Sequence, residues 1–365
     1  MNAVSEGPDD GARILRLPDC SNRVFKTQDD ALAAPLRPFE LRRSSRYGFF
    51  ANVQAVPTDF SIDYQVDQGV SPAFSAHLEL VADAVERVSS RESSICEIGC
   101  GKGDFLRILA ARSFKMLSGF DESYEGDDSR IKKSYPLEHH VPLEAQLLVI
   151  RHALDCIIDP VAYLAELHRI NGQDCEVIIE VPCFDWIRAQ GAFWDLTTER
   201  VNYFTEQSIE ALLGSDLIGI DRMFDGQYLL IHAHLRGRDG ATDHFEADAC
   251  QGELQDLGYA QSSDLTERLA DSTYWIWGTG SKGVMFLHHH LNWRPKSVPL
   301  GCVDINPMRQ GTFTHSTGLE IISPARFGAL FRVTQPVVVL NRNYVDEVSR
   351  SIEELTGVAA EIIAL

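Results

Sequence analysis

The 365-residue chain has no Cys-x-x-Cys pair, no apolar run of membrane-spanning length, no internal repeat and too few basic residues to balance its acids. The first absence bears on metals. A zinc site draws on thiolates at short spacing, and the eight cysteines, at 20, 96, 100, 156, 175, 183, 250 and 302, are scattered. They are expected to be reduced and mostly buried, and no metal site is expected. A membrane helix takes about 18 or more uninterrupted apolar residues, and none occurs. The opening stretch MNAVSEGPDDGARILRLPD carries acids where a secretory signal has a basic and then an apolar region. A soluble, cytoplasmic protein without a membrane partner is expected. Lack of a 20–50-residue period excludes solenoids and propellers. Acidic residues outnumber basic ones 53 to 33, for a formal charge of -20 and a pI near 5.0. Such a chain repels polyphosphate at long range, so nucleic acid is not expected as a partner. A local pocket for one small anion is compatible with that balance.

What is present is the mix of a globular protein, 44% hydrophobic and 24% charged, with length for two domains or three small ones. Residues 1–75 read as an irregular lobe, broken by Pro18, Pro35, Pro38 and Pro57. From Pro72 the pattern changes. AFSAHLELVADAVERV has helical spacing, and SICEIGCGKGDFLRILAARS reads as buried strand, glycine turn and amphipathic helix. FKMLSGFD, AQLLVIRH and CEVIIEVPCF are further strands, with PVAYLAELHRI a helix between the last two. A second unit opens near residue 245, where STYWIWGTGSKGVMFLHHHL is again strand, glycine turn and helix. VPLGCVDIN and PVVVLNRN are strands, and SIEELTGVAAEIIAL closes with a helix, a glycine stop and a last strand. Strands alternating with helices imply parallel βαβ units. The predicted fold is α/β: a Rossmann-like domain over 76–244, a second, smaller one over 245–365, and the lobe over 1–75.

The segment Glu97-Ile98-Gly99-Cys100-Gly101-Lys102-Gly103 follows a strand directly. Glycines there let the backbone turn sharply and approach a ligand, at the carboxyl end of a strand where open α/β sheets bind. The spacing acid-x-Gly-x-Gly-x-Gly differs from the dinucleotide pattern, and Glu97 makes the turn welcoming to an ammonium or sulfonium. Asp121 ends the next strand, 18 residues after Gly103, where an acid accepts hydrogen bonds from both ribose hydroxyls. Together these features resemble motif I and the ribose-binding acid of class I S-adenosylmethionine-dependent methyltransferases. The implied cofactor residues are Glu97, Gly99, Cys100, Gly101, Gly103, Asp121 and, at the end of a neighbouring strand, His152.

The likeness runs further. RHALDCIIDPVAYLAEL, EVPCFDWIRAQGAFWDLTTERVNYFT, WGTGSKGVMFL, VDINPMRQGTF and LNRNYVDEV resemble stretches of the sugar C-methyltransferase-like family, from about residue 63 to 350. The resemblance implies methyl transfer from S-adenosylmethionine to a small biosynthetic metabolite: C-methylation of a nucleotide-linked sugar, or N- or O-methylation of a natural-product intermediate. Two departures matter. That family has an amino-terminal four-cysteine zinc module, where this chain has Ser44, Ser45 and Arg46; the lobe must be held by apolar packing instead, with Phe49, Phe50 and Val53 the candidates. Its general-base histidine lies in a Glu-His pair that is Glu199-Arg200 here, and a second Glu-His pair is Asp155-Cys156. Arginine cannot take a proton.

The remaining candidates for catalysis are His152 as preferred base, with Glu199, Arg200 as an anion clamp and Tyr203. Phe184, Trp186, Phe193, Trp194, Tyr203 and Phe204 load this segment with aromatics; most are core, with Trp186 and Trp194 assigned to the acceptor beside Asn202. Gly278-Thr279-Gly280-Ser281-Lys282-Gly283 is literally GxGxxG, with Asp304 ending the next strand. Read alone it is a dinucleotide fingerprint and makes an NAD(P)-binding oxidoreductase the competing reading. Against it, only 82 residues follow Gly283, short for a second mononucleotide half. The resemblance instead makes this domain part of the acceptor enclosure, with Lys282 near a phosphate. A non-catalytic methyltransferase-like binding protein is the third reading. His288, His289 and His290 point about 100° apart on a helix, so they form a solvated or interdomain patch rather than a metal site. Oligomeric state is left open.

Overall fold

The structure, a computed structural model, describes residues 14–58, 60, 64–65, 69–138, 141–237, 247–248, 269, 272–293, 297 and 299–365. Residues 1–13, Cys250 and the boundary expected at 244/245 lie outside them.

The amino-terminal lobe is less irregular than its prolines suggest. β1 (Leu15–Pro18) pairs antiparallel with β2 (Leu36–Phe39), and α1 (Gln28–Ala33), capped by Thr27, lies between them in sequence. β3 (Leu41–Ser44) and β4 (Phe50–Asn52) form an antiparallel pair.

The central segment begins with α2 (Pro72–Val88), whose Ser71 hydroxyl accepts from the Phe74 amide and whose Pro72 sits where no donor is needed. It buries Phe74, Leu78, Val81, Ala82 and Val85 on one face. β5 (Ser94–Ile98) leads into α3 (Asp104–Ala111), and β6 (Met116–Phe120) precedes the two-residue β7 (Ile131–Lys132). β8 (Leu147–Arg151) is followed by α4 (Pro160–Asn171), which starts on an Asp159 cap and stops at left-handed Gly172. β9 (Cys175–Pro182), the short α5 (Phe184–Gln190), β10 (Asn202–Tyr203) and α6 (Glu206–Leu213) come next. The segment closes with β11 (Leu217–Met223) and β12 (Tyr228–Leu235). Seven strands make one sheet in the order β11-β12-β9-β8-β5-β6-β7. Its five inner and β7-side strands are parallel, and β12 and β11 add antiparallel.

β10 leaves this sheet and pairs with β4, and the backbone of β13 (Ala247–Asp248) pairs with β3. The lobe's sheet is therefore completed by later parts of the chain. The carboxyl-terminal sheet is wholly parallel: β14 (Tyr274–Trp277), β15 (Pro299–Val303), β16 (Ile321–Ile322), β17 (Val337–Val339) and β18 (Ile362–Ala364), in the order β16-β15-β14-β17-β18. α7 (Ser281–Trp293), α8 (Pro324–Leu330) and α9 (Val345–Thr356) complete it.

One apolar cluster joins the lobe to the carboxyl-terminal sheet: Leu17, Phe39 and Phe50 meet Phe184, Phe193 and Trp194, and these meet Ile276 and Phe286. Phe49 and Phe50 are buried as expected, but Val53 is exposed, and its place is taken by Leu15, Leu17, Phe39 and Leu41. The three consecutive histidines are not solvated; all are buried. His288 bonds Arg16 O at 2.9 Å and Ser316 Oγ at 3.0 Å, His289 meets Phe193 edge-on, and His290 reaches Ser297 Oγ. The described cysteines are free and, except half-buried Cys156, buried.

The lobe is also pinned by polar contacts. His315 Nε2 lies 2.7 Å from Asp19 Oδ1, both groups buried, and backbone bonds run from Phe313 N to Phe25 O and from Ser316 N to Ala31 O. Burial raises the Asp19 carboxyl, and His315 with Arg23 more than reverses that, leaving it below the usual 3.8. Stability from a lowered carboxyl is present above its ordinary value and lost as pH falls through the folded one. His315→Ala should thus cost about 3 kcal/mol at neutral pH, as loss of one partner of a buried pair does. In denaturant titrations the deficit should shrink below pH 3.8.

Candidate functional site

The first glycine turn stands at the carboxyl edge of β5. Gly99, Gly101 and Gly103 all have positive φ, at 75°, 54° and 78°. A Cβ added at Gly103 would lie 2.4 Å from Ile131 Cδ1, so this glycine serves packing. At Gly101 it would meet nothing within 4 Å, so the open side of the turn is here. Gly101 N donates to Asp121 Oδ2 at 2.8 Å, and Asp121 Oδ1 takes the Ser123 amide and hydroxyl. Cys100 departs from expectation: its thiol turns inward among Leu106, Tyr124 and Ile131, so only its backbone faces the turn.

Beneath the turn lies a buried ionic cluster. Glu97 is 1% exposed, with Oε2 unpartnered and Oε1 3.5 Å from Arg151 Nη1. Arg151 Nε donates to Glu180 Oε2 at 2.9 Å, and its guanidinium lies over the Phe105 ring. Glu180 Oε1 bonds His77 Nε2 at 2.5 Å. Burial pushes Glu97 up to about 7 against the pull of Arg151, with Asp121 and Asp104 adding to the rise. Burial also opposes ionisation of Glu180, but Arg151, His152 and His77 outweigh it and hold the carboxyl at about 2.

His152 follows β8 at the same edge. Its φ is +51°, uncommon for a side-chain-bearing residue, and its amide bonds Glu180 O at 2.8 Å. Nε2 is 3.4 Å from Glu180 Oε2 without a hydrogen bond, and the ring meets Tyr228 edge-on at 4.6 Å. Burial, with Arg151 and His77, pushes the imidazole below its ordinary value against Glu180 and Asp155. It is neutral at physiological pH.

The other expected catalytic residues are engaged in contacts within the protein. Glu199 is buried and accepts from Ser21 N at 2.5 Å, Ser21 Oγ at 2.6 Å and Asn22 N at 3.3 Å; it anchors the lobe. Arg200 is no free clamp. Its Nε donates to Asp155 Oδ2 at 3.1 Å and its Nη1 to Asp195 O at 2.7 Å. Tyr203 is 1% exposed, and its hydroxyl takes the Thr197 amide and donates to Thr197 O. Asn202 is fully buried in β10 and donates to Ile157 O. Trp194 is core, packed on Phe193 and Phe286.

Trp186 is half-buried, with the Lys282 ammonium 5.4 Å from its ring centre. Lys282 bonds Asp195 Oδ2 at 2.5 Å, so its charge is met within the protein. In the second glycine turn Asp304 does not await a ribose: Oδ2 takes the Thr279 amide and hydroxyl and faces buried Arg309. Arg151, Glu180 and His77 were not anticipated. For two of them the signal was there, Arg151 ending the apolar run LLVIR and Glu180 inside CEVIIEVP.

The strand order, the glycine turn and Asp121 define a methyltransferase fold, and sequence comparison agrees. The family described as methyltransferase domain matches residues 74–215. Over these residues the chain carries a methyltransferase domain. No curated protein matches the chain. Among solved structures it is similar to a SAM-dependent methyltransferase from Aquifex aeolicus, at 13% identity and TM-score 0.36, over 47% of this chain and 100% of that one. Magnesium protoporphyrin IX methyltransferase from Synechocystis PCC 6803 gives 13%, 0.36, 47% and 89%. An O-methyltransferase-like protein from Nostoc punctiforme gives 18%, 0.35, 45% and 57%. No helix among the described residues is long and apolar enough to cross a membrane, and no group of three metal-ligating side chains occurs among them.

Two outcomes follow. A carboxyl raised to about 7 is mostly protonated at pH 6 and ionised at pH 8, so affinity for the cationic cofactor should rise roughly tenfold across that interval. Calorimetric titration should show the slope in wild type and none in Glu97→Gln. Arg200→Ala leaves Asp155 and Asp195 buried without their cation and should cost about 3 kcal/mol or more. An unchanged melting temperature would return Arg200 to a ligand-binding role.

Proposed function

We propose that the chain transfers a methyl group from S-adenosylmethionine to a small biosynthetic metabolite held between the central sheet and the carboxyl-terminal sheet. The observation that carries this reading is the convergence of the open Gly101 turn, Asp121 and His152 on one carboxyl edge. The residues fit the cofactor: Glu97 has an unpartnered buried oxygen suited to a positive charge, Gly101 leaves room for close approach, and Asp121 offers its remaining lone pairs to ribose hydroxyls. When bound, the cofactor supplies a methyl already activated as a sulfonium.

The chain's own work is then alignment and, where the acceptor requires it, removal of a proton. His152 is the proposed base. It is neutral, and Glu180 stands behind it to stabilise the imidazolium. With its basicity lowered by burial, it suits an acceptor proton that is itself acidic, or one that leaves late in the transfer. The overall charge of -20 supports a small acceptor over a nucleic acid. The nucleotide-linked sugars of the family it resembles and other polar natural-product intermediates are the acceptor classes this reading admits, with methylation at carbon, nitrogen or oxygen.

S-adenosylmethionine should raise the melting temperature of wild type by mass action. Gly101→Val, at a positive φ and in the open turn, should abolish the rise; an undiminished shift would remove the assignment. With labelled cofactor and an extract of small metabolites, His152→Ala should lower transfer by about 10²-fold or more while cofactor binding persists.

A further inference from the structure

The carboxyl-terminal sheet has its own cleft. The chain leaves β14 for β15 and β16 on one side and returns to β17 and β18 on the other, so the carboxyl ends of β14 and β17 form a topological switch point, where open α/β sheets bind ligands. A cavity of about 210 Å³ opens there, between the second glycine turn, Asn306, Tyr344, Ser71 and Tyr228. It shares Tyr228 with His152, so the cleft and the methyltransferase edge are joined by one aromatic ring.

The site is built for a ligand oxygen. Asn306 is 3% exposed, its Oδ1 accepts the Met308 amide, and its Nδ2 is left without a partner. A buried amide donor with no acceptor is costly, and a ligand oxygen in the cleft would satisfy it. The first turn of α7, thirteen residues long, adds backbone donors at the same wall. The charges point away from phosphate. The lining cations are Lys282, bonded to Asp195, and Arg309, which faces Asp304 and gives its other nitrogens to the carbonyls of Asn22, Gln65 and Thr279. Two carboxylates, Asp304 and Glu347, line the same space.

Size narrows it further. The volume corresponds to about seven waters and falls below the ~300 Å³ at which drug-sized ligand sites begin. Trp277, Tyr228 and Tyr344 supply flat apolar walls. Gly283, the last glycine of the turn, is needed for packing, since a Cβ there would lie 2.3 Å from Gly278 O. That glycine is accounted for by packing alone.

We propose that this cleft binds a single-ring molecule bearing hydroxyl or amine groups and no phosphate, and that this molecule is the methyl acceptor. The second half rests on the methyl-transfer reading above. The test uses the full chain, saturation-transfer NMR, glucosamine and myo-inositol as probes, and thymidine diphosphate and inorganic pyrophosphate as counter-probes. At least one ring probe should bind, without competition from either phosphate. Asn306→Leu, which keeps the volume and removes the donor, should weaken binding about five- to tenfold, the worth of one hydrogen bond. Val70→Trp fills the cleft from an exposed position, does not put folding at stake, and should abolish it. Displacement of the ring probe by either phosphate, absence of ring binding, or binding unchanged in both variants would overturn the proposal. S-adenosylhomocysteine is titrated in the same samples: its failure to bind while the ring binds would sink the methyl-transfer reading and leave the cleft's ligand class standing.

Discussion

An ionised carboxylate with no access to solvent is what the central sheet is organised around. Glu180 is fully buried in the middle of β9, and a charge there is tolerable only when paired and hydrogen-bonded. Its partners come from three directions: His77 from α2, Arg151 from β8, and His152 from the turn after it. Each contact fixes something else. The His77 bond seats α2 against the sheet. Arg151, held by Glu180, reaches Glu97 under the glycine turn and limits how far burial raises that carboxyl. The His152 amide on Glu180 O holds the chain in its left-handed kink. The electrostatics beneath the first glycine turn are thus set from the neighbouring strands.

A second constraint governs the other half of the molecule. The first 75 residues hold a single cysteine, Cys20, so no thiolate cluster fastens the lobe. The lobe instead borrows structure. β10 extends its sheet, the aromatic segment from Phe184 to Phe204 fills its core, and Glu199, His288 and His315 tie it down. This explains why the titratable and aromatic residues of that segment are spent on architecture. The charge of Arg200 is answered by Asp155 and Asp195.

How much of this could be read in the chain depended on range. The two strand–glycine-turn–helix units were legible because period and turn chemistry are local. β7 has two residues and leaves no periodic trace. β11, LIGIDRM, is half exposed and interrupted by glycine, so it too was passed over, and with it the antiparallel edge. The misassigned residues share a different cause. Whether Arg200 meets a ligand or Asp155, 45 residues earlier, cannot be decided from either segment, because pairing across such distances is settled by packing. Tyr203 likewise looks reactive in sequence, and its hydroxyl is consumed by Thr197 six residues away.

The two glycine turns show how one architecture yields two chemistries. In each, an acid after the next strand closes the turn by accepting a backbone amide: Gly101 onto Asp121, and Thr279 onto Asp304. The difference lies in what surrounds the acid. Asp121 is half-buried, with acceptor capacity left toward the open side of its turn. Asp304 is 7% exposed, takes the Thr279 hydroxyl as well, and faces a buried arginine. The first acid remains available to a ligand's hydroxyls; the second is committed to holding its own loop. Recognition in the second cleft therefore passes to residues that the glycine pattern does not name, Asn306 above all, which is why a repeated fold does not imply a repeated ligand.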